Sequence, residues 1–118
     1  MFTFEVNPTT KVVEVTVSGF FSEAEANNYI AEFQRTVRSI TPSTHTLLIN
    51  GTDQKLASQN LLEQYQGAVD LYLSANFKKT IIVLPQSAVA VMQIKKLRGC
   101  ERINFVNSLA EGKALLTK

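Results

Sequence analysis

Lys79-Thr80-Ile81-Ile82-Val83-Leu84 is the stretch that decides the fold. Rich in β-branched residues, it has the pattern of a central strand. Working outward from it, Ser58 is a suitable N-cap for a helix upstream, and Leu61, Leu62, Tyr65, Val69 and Tyr72 mark one face of that helix. Farther upstream Thr46-Leu47-Leu48-Ile49, short and apolar, reads as a buried strand. Downstream, Ser87 begins a helix that runs to about Lys96, and Gly99 stands near its C-terminal stop. Ile103 to Val106 then reads as a last strand. Ser108-Leu109-Ala110-Glu111 is a capping box opening the closing helix.

The N-terminal part completes the pattern. Phe2, Phe4 and Val6 alternate with Thr3 and Glu5, and Val13, Val15 and Val17 alternate with Glu14, Thr16 and Ser18. Asn7-Pro8-Thr9-Thr10 lies between them as a turn, so the two strands form an antiparallel hairpin. Gly19 is expected to end the second strand. Ser22-Glu23-Ala24-Glu25 is a capping box whose helix carries Tyr29, Ile30, Phe33, Val37 and Ile40 on one face and closes at Pro42. The order β-β-α-β-α-β-α-β-α predicts an α/β fold: a mostly parallel sheet of about five strands, an N-terminal antiparallel hairpin and about four helices, linked by right-handed crossovers. The alternation in the first two strands predicts one wet face at that edge.

Composition narrows the class. A chain of 118 residues fits a single domain over 1–118, and 45% apolar with 19% charged residues is ordinary for a globular protein. A net charge of +2 is too small to point to nucleic acid. Cys100 is the only cysteine, which excludes an internal disulfide and a cysteine metal cage and suits a reducing compartment. Met1 to Glu5 lacks the basic and apolar regions of a signal peptide, and no apolar run approaches the ~18 residues of a membrane span. A cytoplasmic location is the expectation.

Two segments carry a family resemblance: Val17-Ser18-Gly19-Phe20 leading into the first helix, and Phe105-Val106-Asn107-Ser108-Leu109-Ala110-Glu111-Gly112-Lys113-Ala114-Leu115 at the end. With the right elements between them, the chain resembles the STAS family, in particular its anti-sigma-factor-antagonist and SpoIIAA-like members. The resemblance implies a βα superhelix with helices largely on one side, and a function exercised by binding a regulator such as an anti-sigma kinase. It also implies a phosphorylation switch at a serine before the second helix, within Asp-Ser-x-Gly. Ser58 occupies that place, with Ala57 where the family has its acid and Asn60 where it has glycine; Asn50 likewise replaces a strand-ending acid.

The residues themselves offer little catalytic chemistry. His45 is the only histidine and sits where a strand begins, away from the carboxyl ends at which parallel sheets bind ligands, so it reads as a partly exposed structural residue. Cys100 follows Arg98-Gly99, a cationic setting that lowers a thiol pKa, although a plain buried thiol is the commoner case. Gly19, Gly51, Gly67, Gly99 and Gly112 are too dispersed for a phosphate loop or dinucleotide fingerprint. Strands ending in Val6, Asn50, Leu84 and Val106 lack the acid cluster that holds Mg²⁺ in phosphoreceivers. No enzyme, metal or cofactor is expected.

Binding surfaces are more legible. Gly51 to Ala57 reads as a long polar loop at the carboxyl edge, and such loops are often binding segments, with an ordinary surface loop as the plain alternative. Asn50, Gly51, Thr52 and Asp53 are therefore candidate partner-binding residues. At Ser58 a phosphate would meet free backbone N–H groups, but the residue also serves simply as a cap. Asn60, Gln64, Gly67 and Leu71 follow helical spacing along an uncharged strip, with Leu71 expected to be exposed. A pocket between helices and sheet, lined by Phe20, Tyr65 and Tyr72, would instead suit a small ligand or lipid. Lys11, Lys79 and Arg102 enter strands, while Arg35, Arg38, Lys95 and Lys96 lie near helix C-termini, all at the end opposite Ser58. Complementing helix dipoles accounts for them, and an anionic ligand at this rim is the alternative. Phe2-Thr3-Phe4 as an edge strand offers a route to a homodimer.

Overall fold

The computed structural model describes residues 1–55 and 59–116. Its strands are β1 (Phe2–Asn7), β2 (Val12–Phe20), β3 (Thr46–Lys55), β4 (Lys79–Val83) and β5 (Asn104–Val106). The helices are α1 (Glu23–Arg38), α2 (Gln59–Ser74), α3 (Ala88–Lys95) and α4 (Leu109–Leu115), with short 3₁₀ turns at Pro42–Thr44 and Cys100–Arg102. Spatial order in the sheet equals chain order, β1-β2-β3-β4-β5, with β1 antiparallel to β2 and the remaining pairs parallel. The expected hairpin and parallel sheet are both present.

Local chemistry explains the element ends. Asn7 Oδ1 accepts from the backbone N–H of Thr9 and Thr10, closing the hairpin, and Lys11 takes the left-handed conformation with φ 60°. Ser22, Ser87 and Ser108 cap their helices by accepting from the N–H of Glu25, Ala90 and Glu111. Glu111 reaches back to accept from Asn107 N–H, completing the last cap.

Strand parity then divides the core. Val13, Val15, Val17, Leu47, Ile49 and Ile82 point to one face, where Tyr29 and Phe33 of α1, Val69 and Tyr72 of α2, and Ile103 pack on them. Leu48, Ile81, Val83 and Val106 point to the other, covered by Leu109, Leu115 and Leu116. α4 therefore lies across the sheet from α1 and α2, so the one-sided helix arrangement is not complete. Gly112 permits this, since a Cβ there would stand 3.1 Å from Leu48 Cδ1. The wet face is confined to β1 and the outer half of β2, as the alternation requires.

Two strand boundaries differ from expectation. Gly19 does not end β2: with φ 69° it stays within the strand, which continues to Phe20. β3 does not stop at Ile49 either, and Gly51–Lys55 is strand rather than loop. The two extensions pair with each other, Ser18 with Asp53, Gly19 with Gln54 and Phe20 with Lys55. Each looks like a strand end alone; together they form a ladder.

Candidate functional site

The carboxyl edge of β2 and β3 is shaped by an irregularity in that ladder. Thr16 pairs with Asn50 but Ser18 pairs with Asp53, so β3 holds one extra residue, a β-bulge. Asn50 Oδ1 secures it, accepting from Thr52 N–H at 3.2 Å and Thr52 Oγ1 at 2.6 Å. Gly51 is buried within it, and a Cβ there would meet the Val83 carbonyl at 2.9 Å. The bulge inverts the parity of β3 beyond it: Leu47 and Ile49 face the helices before it, and Gln54 does so after it. Asn50, Gly51 and Thr52 thus build backbone geometry, while Asp53 is exposed.

Gln54 faces a small cavity of ≈50 Å³ between α1, α2 and the sheet. Val17, Phe21, Ala26, Ile30, Ile49 and Ala68 make its apolar walls, Lys55 stands at its rim, and Tyr29, Tyr65 and Tyr72 bring the polar atoms. The pocket expected from sequence is therefore present with Tyr65 and Tyr72, but Phe21 replaces Phe20. Parity is the reason: residue 21 falls on the side of Val13, Val15 and Val17, and Phe20 points away, 58% exposed, with Lys55 Nζ 5.7 Å from its ring centroid.

All three tyrosines of the chain meet here. The hydroxyls of Tyr29 and Tyr72 hydrogen-bond to each other inside the core. Tyr29 is edge-on to Phe2 and Phe21, and Tyr72 is edge-on to Phe33 with ring centroids 5.1 Å apart. Burial disfavours each phenolate and pushes all three hydroxyls well above the ordinary tyrosine range; the hydrogen bond from Tyr72 offsets part of the rise at Tyr29, and Tyr29 raises Tyr72 further. They are hydrogen-bonding groups, not bases, at neutral pH.

The other candidates resolve differently. Ser58 and Ala57 lie outside the described residues. Asn60 and Gln64 belong to α2, and Gly67 beyond them leaves open space where a Cβ would be. Leu71 is not exposed: it is half-buried against the main core. The 97–100 segment is pinned to α2 by Gln66, whose amide accepts from Arg98 N–H at 2.7 Å and donates to the Arg98 carbonyl at 3.0 Å. α2 is thus covered on more of its circumference than a one-sided helix.

His45 is buried, 6% exposed, rather than partly exposed, and its Nδ1–H donates to the Thr41 carbonyl at 2.9 Å. It closes the 3₁₀ turn before β3. Cys100 is buried as well, its Sγ–H donating to the Ile94 carbonyl, and burial followed by the Glu101 charge pushes its thiol up, not down. Neither is placed for catalysis. Among the described residues no three His, Cys, Asp or Glu side chains gather to hold a metal ion, and no helix is long and apolar enough to cross a membrane.

No family model and no curated protein matches the sequence. Among solved structures, the chain is similar to an uncharacterized protein from the DUF3478 family of Shewanella loihica PV-4, described as having a SpoIIAA-like fold. The two share 12% identity, and the superposition has a TM-score of 0.65 and covers 98% of this chain and 92% of that one. The fold is SpoIIAA-like. At this identity the likeness establishes architecture alone. Within the SpoIIAA-like frame, the cavity sits at the carboxyl ends of the parallel strands, where α/β sheets bind their ligands.

Proposed function

We propose that this chain is a non-catalytic, cytoplasmic binding module whose ligand is a small amphipathic molecule held between α1 and α2. The cavity lined by Phe21, Ile30, Ile49 and Tyr65 carries the reading, because apolar walls with a few convergent polar groups are what small-molecule sites share. A hydrocarbon portion would enter among the aliphatic walls, and a polar end would meet Gln54 and Lys55 at the rim. At ≈50 Å³ the space admits only a few atoms, so a larger guest requires α1 and α2 to part. Native mass spectrometry of freshly purified protein tests this, together with thermal shift in decanoate. A copurifying mass and a raised midpoint, both lost in Ile30→Trp, are expected; a bare protein with no shift removes the reading.

A second reading keeps the regulatory role that the STAS resemblance implies. The bare backbone at Gly67 favours it, since among the described residues no other group comes within 4 Å of where a Cβ would stand. An anti-sigma-kinase-like protein would dock along Asp53, Asn60, Gln64 and Gly67, around the bulge of Asn50, Gly51 and Thr52, with phosphate on Ser58 as the switch. Pull-down with wild type and Ser58→Asp separates the parts: equal recovery of every specific partner discards the switch. Gly67→Tyr abolishing capture would retain the surface. Self-association through β1, the open edge, is a variant of the same reading, and light scattering that returns a monomer eliminates it.

A further inference from the structure

At the opposite end of the sheet, two adjoining clefts of ≈650 and ≈310 Å³ share Leu73, Asn76 and Arg102. They run between the end of α2, the start of β4 and the 98–104 segment. Arg98 lines one, and Lys78, Lys79 and Asn104 line the other. We infer that these joined clefts form an anion site that takes a phosphoryl group, gripped by Arg98 and Arg102 with Lys78 beside them. The site opens at the other end of the sheet from the cavity between α1 and α2, with Tyr72 between them.

The backbone that carries the arginines is fixed. Gln66 clamps Arg98 on both its N–H and its carbonyl. Gly99 then turns the chain at φ 87°, and a Cβ there would stand 2.6 Å from Leu73 Cδ1, so the turn accepts only glycine on two counts. The following 3₁₀ turn is closed by Arg102 N–H to the Gly99 carbonyl at 3.0 Å and anchored by buried Cys100. Two exposed guanidinium groups are thereby held four residues apart around one rigid corner. Neither has an ion pair among the described residues. Planar forks left without a carboxylate partner are suited to phosphate.

Magnitude separates this from simple complementation of a helix end. The carboxyl end of α2 carries about half a negative charge. Asp70 in the cleft wall and Glu101 beside Arg102 add one each, and Asp70 already accepts from Gln66 Nε2. Arg98, Arg102 and Lys78 line the clefts and together outweigh these, so a positive surplus remains without counting Lys79. Lys79 donates to the Leu115 carbonyl and is oriented by α4. The phosphoryl group could belong to a soluble metabolite or to a lipid headgroup; the chemistry recognised is the same.

The test is a titration of the isotope-labelled chain with inorganic pyrophosphate, followed by backbone amide shifts. Saturable shifts at Asn76, Gly99, Cys100 and Arg102 are expected, and Arg98→Gln with Arg102→Gln should weaken binding at least about tenfold. Lys113→Gln, at an exposed position on α4 outside both clefts, should leave affinity unchanged. Should the double variant lose its fold, Arg102→Gln alone at its exposed position gives the same test with a smaller loss. Cosedimentation with phosphatidylglycerol vesicles, against phosphatidylcholine, identifies the source: arginine-dependent pelleting without pyrophosphate shifts assigns a headgroup, and shifts without pelleting assign a soluble phosphate. No saturable shift together with no arginine-dependent pelleting overturns the site, as does equal binding by the arginine variants.

Discussion

At the carboxyl edge of the sheet, three tyrosines and a ring of aliphatic side chains close around ≈50 Å³. At the amino edge, arginines, lysines and asparagines stand around open clefts of ≈650 and ≈310 Å³. Tyr72 lies between the two, lining the first on one side and the second on the other. The closed end is continuous with the core, so its residues set stability as well as any ligand contact. The open end is a rim added to the core, and its two arginine side chains are exposed, outside the core packing. In this molecule, stability and recognition are coupled at one end of the sheet and separable at the other.

The largest effect that sharpens this contrast is Tyr72→Ala. Removing a buried ring that packs on Phe33 should lower unfolding free energy by about 3–5 kcal/mol in urea denaturation. A loss near that of a surface change would break the comparison. Next comes the hydroxyl pair. Tyr29→Phe leaves the Tyr72 hydroxyl buried without its partner and should cost about 1–3 kcal/mol, whereas the double Phe variant should cost less than the two singles combined. Additive losses would show that the hydroxyls do not act as a pair. The same burial sets an alkaline signature. A phenol whose folded pKa is raised holds its proton longer in the folded than in the unfolded chain, so its stabilisation is complete below about pH 10 and falls as pH rises beyond it. Tyrosinate absorbance should therefore appear together with unfolding, and a phenolate signal in the still-folded chain would contradict it. The smallest effect is at the other end: Arg98→Gln and Arg102→Gln should each leave the unfolding free energy in urea within about 0.5 kcal/mol of wild type.

Much of this was legible in the sequence, because strand parity and serine caps are local signals. Phe4, Val6, Val13, Val15 and Val17 announce their strands, and Ser22, Ser87 and Ser108 announce their helices. The second half of β3 was not legible. Gly51-Thr52-Asp53-Gln54-Lys55 has a turn composition, and it is strand only because Ser18 to Phe20 lie beside it, a partner more than thirty positions away. Leu71 was misplaced because it flanks the core stripe of α2: at helical spacing it stands about 60° from Ala68 and about 40° from Ala75, both packed in the main core. Of the site residues, Tyr65 and Tyr72 were found from helical spacing. Phe21 was missed although counting by twos from Val17 reaches it, and Tyr29, found as a core residue, gave no sign in sequence of the bond it makes to Tyr72.

The extra residue near Thr52 bears on how this chain is to be compared with others. A gapless alignment with a protein lacking it would match Gln54, directed inward, to a side chain directed at solvent, and every position to the end of β3 would be exchanged between faces. At such low identity a residue-by-residue transfer of roles across that point is sound only after three-dimensional superposition.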